Sequence, residues 1–177
     1  LTRFLKQNRF YVTSKSRTNY LATSESLSSS LNYTYIDSLL KKNTDPNFLI
    51  YKNEVSRYLK SNGYKIVHVN SGYSVTRQNY YADKTIYLKN LNEFEQTLLK
   101  YTAFRLDNLV GYTQYKILKE QFSTIHELIK IKGPKFVFIH IVSPHPPYIC
   151  DENGNFKSSP RIINSWWEPK ADYVLQT

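Results

Sequence analysis

Residues 135–148, KFVFIHIVSPHPPY, restrict the fold of this chain more than any other segment. Five of the six residues 136–141 are apolar, a run too short to cross a membrane and suited to a strand buried in a parallel sheet. The run breaks at Ser143 and Pro144, and two histidines, His140 and His145, stand around the break. Ligands of open α/β sheets sit outside the carboxyl ends of the strands, so this segment proposes a fold and a place for chemistry together.

A second exit of this kind precedes it. Residues 64–69, YKIVHV, read as a strand that leads into Asn70, Ser71 and Gly72. Between and before the strands the pattern is helical. From Thr23 onward Leu27, Leu31, Tyr35, Ile36, Leu39 and Leu40 share one face, and Thr23 or Ser24 is a suitable N-cap. Serine fills most other positions of this segment, although it is a mediocre helix former. A turn at residues 43–46 precedes a helix over 47–61, with Leu49, Ile50, Val55, Tyr58 and Leu59 inward and Asn62-Gly63 as its stop. Residues 73–90 lack a period and read as a long surface loop. Helices are expected over 91–101 and 111–131, the second burying Tyr115, Leu118, Phe122, Ile125 and Leu128 or Ile129. Residues 10–12 read as a short strand, residues 151–169 as a turn-rich tail with Trp166 and Trp167, and 170–177 as a possible helix start. The alternation predicts a single α/β domain over residues 1–177, with a mainly parallel sheet flanked by helices.

Composition limits the function classes. Hydrophobic residues make up 41% and charged residues 21%, which describes a globular chain. No apolar run approaches the roughly 20 residues of a membrane-spanning helix. A single cysteine, Cys150, rules out an internal disulfide framework and a cysteine-built zinc site. The net charge of +10 favours anionic partners, although Lys52, Arg57, Lys60 and Lys65 alternate with apolar residues as solvated helix faces do. Tyrosine interleaves with lysine and arginine over residues 51–65, a pattern that stacks bases. An AT-rich genome gives the same enrichment, so nucleic acid is not the expected partner. The chain begins at Leu1, contains no Met and closes at Thr177 without a finishing element, which suggests a piece of a longer protein.

Three side chains stand out as candidate site residues. A hydroxyl at a helix N-terminus, as at Thr23, lies among free backbone N–H groups and suits a nucleophile as well as a cap. Glu25, two residues on, opposes an anionic substrate. His145 lies between Pro144 and Pro146, which would hold it in place. His140 lies inside the apolar strand and fits a core histidine as well as a ligand-binding one. His68 reads as structural or semi-exposed and His126 as surface. Asp83, Asp107 and Asp151 show no metal-ligand spacing. Glycine-rich phosphate loops, a G-x-S-x-G elbow and an H-E-x-x-H helix are absent from the sequence.

Residues 19–32, NYLATSESLSSSLN, resemble the nucleophile region of sulfatase-like members of the alkaline phosphatase superfamily. FVFIHIVSPHPPYICDENGN is similar to a later strand and Pro-His-x-Pro-Tyr loop of the same group, and FLKQNRFYV and RYLKSNGYKIVHVNSGY fit the order of elements. The resemblance covers most of the chain. It implies an alkaline phosphatase-like parallel sheet and a metal-dependent hydrolase or transferase acting on phosphate or sulfate esters. Thr23 would be nucleophile and metal ligand, with His145 and, less centrally, His140 on the substrate. No cysteine stands at position 23, which argues against the formylglycine route and for phosphoryl chemistry. One or two divalent cations (Zn, Mn, Mg or Ca) are implied, with their other ligands outside residues 1–177. An isolated piece would then be inactive. Many relatives are membrane-anchored and face outward. The competing expectation is a non-catalytic α/β domain that holds an anionic polymer on its basic surface.

Overall fold

Two segments dense in β-branched and aromatic residues pair as the parallel strands the sequence predicts. In chain order the strands are β1 (Lys65–Val69), β2 (Lys84–Ile86) and β3 (Lys135–Ile139), and the sheet runs β2-β1-β3, parallel throughout. The structure, a computed structural model, describes residues 2–13, 15–39, 45–88, 91, 93–101, 107–143, 145, 148–151 and 153–157. Residues 158–177, with Trp166, Trp167 and the expected helix start at 170, lie outside them.

Side chains of β1 and β3 alternate between two apolar layers, as the pleat requires. Val67, Val69, Val137 and Ile139 face one layer with Leu128 and Ile86. Phe138 faces the other, with Leu27, Leu31, Ile50, Tyr51, Val55 and Val75. The helices that supply these layers are α2 (Thr23–Leu31), α4 (Pro46–Tyr51) and α5 (Glu54–Ser61) on one side, and α7 (Asp107–Ile129) on the other. Short helices α1 (Thr2–Gln7) and α3 (Ile36–Leu39) and the helix α6 (Glu93–Tyr101) complete the described α-helices. The chain is therefore α/β with a small parallel sheet. Among the described residues no helix is long and apolar enough to cross a membrane.

Several expectations need correction. The single helix from Thr23 is two, because the chain turns at residues 32–35. Asn32 is the C-cap, Tyr33 takes a left-handed φ of 56°, and the Thr34 amide bonds the Ser29 carbonyl at 3.3 Å, the ending that satisfies orphan carbonyls. Tyr35, expected inward, is 64% exposed. The cap of α2 is Ala22 and not Thr23 or Ser24: the Ala22 carbonyl accepts the first helical bond, from the Ser26 amide at 3.0 Å. The helix expected over 47–61 divides at Asn53, whose side chain caps α5 by accepting from the Ser56 amide at 2.8 Å. Tyr58, expected inward on this segment, is 56% exposed. Among the described residues, 10–12 pair with no strand, and Thr2–Gln7 before them is helical. The expected surface loop at 73–90 holds a 3-10 turn, Ser74–Thr76, and β2. Among the described side chains of α7, Ile117, Gln121 and Leu128 are buried, whereas Phe122, Ile125 and Ile129 are exposed. That helix is apolar on two adjacent faces, so periodicity could not say which one meets the sheet.

The serines of α2 find their reason here. Ser28 and Ser29 are buried, and their hydroxyls donate to the carbonyls of Pro46 (2.7 Å) and Thr34 (2.6 Å). Small side chains let α4 approach α2 closely, and each hydroxyl finds an acceptor.

Candidate functional site

The carboxyl ends of β1 and β3 are neighbours because the strands are parallel and in register from Lys65↔Lys135 to Val69↔Ile139. The first residues beyond them carry the polar groups. At the end of β1, Asn70 Oδ1 accepts the Gly72 amide at 2.6 Å, and Ser71 Oγ accepts the Tyr73 amide at 3.2 Å. These local bonds turn the chain sharply and deliver the 3-10 turn over the strand ends. Its Thr76 is fully buried. Thr76 Oγ1 lies 3.0 Å from Ser71 Oγ and 2.9 Å from Nδ1 of His140, the first residue after β3. A chain of three side chains, Ser71, Thr76 and His140, thus links the two strand exits.

His140 is fixed further from α7, where Gln121 Nε2 donates to its carbonyl at 3.0 Å, and by Tyr73, whose ring centroid is 5.7 Å away. Burial holds the His140 imidazole below its ordinary pKa, so the ring is neutral. On the strand next door His68 is wholly buried and stacks on Phe138 at 5.8 Å with 8° between the rings. Neither of its ring nitrogens has a hydrogen-bond partner among the described residues. Burial also holds His68 below the usual histidine range, against a smaller opposing pull from the backbone of Arg77 and Thr76. His68 is therefore a core residue, and the semi-exposed place the sequence also allowed is ruled out.

Thr23 opens α2 as its first helical residue, beside the amides that have no partner within the helix. Among the described residues it shares no hydrogen bond or ring contact with His140 or His145. His145 is exposed, and its amide donates to the Val142 carbonyl at 2.9 Å, a turn that starts the loop after β3. The flanking Pro144 and Pro146 lie outside the described residues. The structure thus joins His140 to Ser71 and Thr76 and leaves Thr23 and His145 on separate elements. Ser71 lay in a strand exit legible in the sequence. Thr76 and Gln121 gave no signal, one inside an aperiodic stretch and the other on a helix face read as polar.

The carboxylates have other work. Asp83 accepts the Ile66 amide at 2.8 Å and pairs with Lys60 at 2.7 Å, and the Lys60 bond draws its pKa down first. This clamp sits at the amino end of β1, opposite the site. Asp151 folds its own turn by accepting the amides of Asn153 and Asn155, and the bridge that follows, Cys150 to Phe156, docks Phe156 against Tyr112 and Tyr115 of α7. Burial pushes the Cys150 thiol up, away from nucleophilic use. Among the described residues no three His, Cys, Asp or Glu side chains gather as a metal site. The implied divalent cation therefore does not fit the described residues by themselves.

Comparisons with protein-family models, with curated proteins and with solved structures returned no match to this chain.

Proposed function

We propose that this chain is part of a hydrolase or phosphotransferase of the sulfatase-like, alkaline phosphatase-like kind, acting on phosphate esters with Thr23 as the nucleophile. The observation that carries the reading is the gathering of Ser71, Thr76 and a neutral, half-buried His140 at the carboxyl ends of adjacent parallel strands. Binding sites of open α/β sheets lie there. A neutral imidazole beside hydroxyls suits an ester oxygen and leaves anions unrepelled. The sequence resemblance of residues 19–32 and 136–155 adds the reaction class.

In this account Thr23 Oγ1 displaces the ester alcohol at phosphorus, forming the Thr23 O–P bond as the bond to the alcohol breaks. Water, or a second alcohol, then takes the phosphoryl group from Thr23 and restores its hydroxyl. The amides of the first turn of α2 and the net charge of +10 favour the anionic ester. His140 and His145 contact the substrate. Thr23 would be one ligand of the divalent metal, with the others from outside residues 1–177. The alternative, a non-catalytic domain that holds an anionic polymer, draws on the same net charge of +10; of its basic residues Arg57 and Lys60 pair with Glu54 and Asp83.

The test is turnover by the complete reading frame that encodes this chain, with aryl phosphate monoesters, aryl phosphate diesters and aryl sulfates, with and without Zn, Mn, Mg or Ca. Phosphate-ester turnover that depends on a metal and falls at least about 1,000-fold in Thr23→Ala supports the reading. Turnover unchanged in Thr23→Ala removes it.

A further inference from the structure

We propose that Ser71 and Thr76 are positioning residues that lock His140 as its Nε2–H tautomer, so that the ring offers a neutral N–H donor to an oxygen of a phosphate-type anion. The ligand class rests on the phosphate-ester reading; the tautomer assignment does not.

Donor counting gives the assignment. The Tyr73 amide already donates to Ser71 Oγ at 3.2 Å, so that oxygen is an acceptor. The Ser71 hydroxyl then spends its one proton on Thr76 Oγ1, 3.0 Å away. Thr76 in turn spends its proton on His140 Nδ1 at 2.9 Å, which makes Nδ1 the acceptor and leaves the ring proton on Nε2. The opposite direction, with Nδ1–H donating to Thr76 and Thr76 to Ser71, leaves the Ser71 proton without an acceptor among the described residues. Ser71 is only 7% exposed, so that proton has little water to turn to. The forward chain satisfies every hydroxyl. His68 cannot reverse it, since its nitrogens bond to neither hydroxyl.

The ring is held so that this choice matters. Gln121 fixes the His140 carbonyl from α7, Tyr73 flanks the imidazole, and Thr76 holds Nδ1. Nε2 is the one ring nitrogen left for a ligand, and the half-buried ring leaves it able to meet one. A fixed N–H in a partly dry setting is a better oxyanion donor than one that must change tautomer on binding.

Selective nitrogen-15 labelling of histidine in the complete reading frame reads the tautomer directly by one- and two-bond couplings to ring protons, with the His140 peaks assigned by His140→Gln. The expected result is Nε2–H at His140 in the wild type, a tautomer mixture or Nδ1–H in Thr76→Val, and return of Nε2–H in Thr76→Ser. A role confined to packing would leave Thr76→Val like the wild type. Nδ1–H in the wild type overturns the proposal, and decides it even where Thr76→Val does not fold. Titration with inorganic phosphate should move the His140 Nε2 resonance in the wild type and require roughly tenfold more phosphate in Thr76→Val. A resonance that phosphate leaves unmoved overturns the donor role. Because the readout uses neither Thr23 nor turnover, loss of Thr23 as nucleophile leaves this test unaffected.

Discussion

At the scale of single residues, His68 sets the acid behaviour of the fold. It is fully buried, and only the backbone of Arg77 and Thr76 would offset a charge on its ring, so protonating it in place is costly. Its folded pKa lies below the reference value of 6.5 because of burial, and that of His140 does too. As pH falls from 6.5 towards the lower folded values, the unfolded chain binds protons first. Stability from these groups is therefore whole above 6.5 and lost below it, by up to about 1.4 kcal/mol per pH unit for each histidine. Replacing His68 with leucine removes one of the two contributions and the unpaired nitrogens. Urea titrations should find His68→Leu within about 1 kcal/mol of the wild type at neutral pH, or above it, with a shallower loss on acidification. Parallel acid limbs in the two proteins would show that His68 is not the group responsible.

At the scale of elements, the junction of α2, α4 and α5 is built from asparagines. Asn32 Nδ2 donates to the carbonyls of Ser28 (2.8 Å) and Leu49 (3.0 Å), and its Oδ1 accepts the Glu54 amide at 3.1 Å. Asn53 is 2% exposed, caps α5 and donates to the Ile50 carbonyl at 2.8 Å. Asn53→Ala strips a cap and orphans buried backbone groups, for an expected loss of about 2–3 kcal/mol in chemical unfolding. Tyr33 offers the opposite sign. It is 69% exposed and holds a φ of 56° that costs a side-chain-bearing residue about 1–2 kcal/mol. After glycine's larger chain entropy, Tyr33→Gly should raise stability by about 0.5–1 kcal/mol. An unfolding midpoint lower than the wild type's would contradict that. These elements also show what sequence carries. The strands 65–69 and 135–139 and the helix 93–101 were legible because apolar density or period marks them. The breaks at Asn32 and Asn53 were not, because a capping asparagine inside a helical period looks like one more polar position. The face of α7 was not, since Ile117 and Leu118 begin two equally apolar stripes.

At the scale of the whole molecule, one of the two strand exits that border the candidate site was legible, and the side chains that join there were not. The strand exit at Asn70 could be read from the sequence; the other was expected at Ser143 and Pro144 with His140 inside the strand, whereas β3 ends at Ile139, and parallel pairing brings the two exits together. Thr76 joins them across 64 residues of chain, and no local pattern reports a contact of that range. The net charge of +10 belongs to this scale as well. If the basic surface steers an anionic ester to the site, kcat/KM should fall with added salt while kcat holds. A salt-independent kcat/KM would separate the charge from the reaction. The most direct test of the central claim is to quench the complete reading frame during turnover of an aryl phosphate and map the covalent phosphate by peptide mass spectrometry. The account predicts phosphothreonine at Thr23, absent from Thr23→Ala. Turnover with no phosphate on Thr23, or with phosphate on another residue, would contradict it.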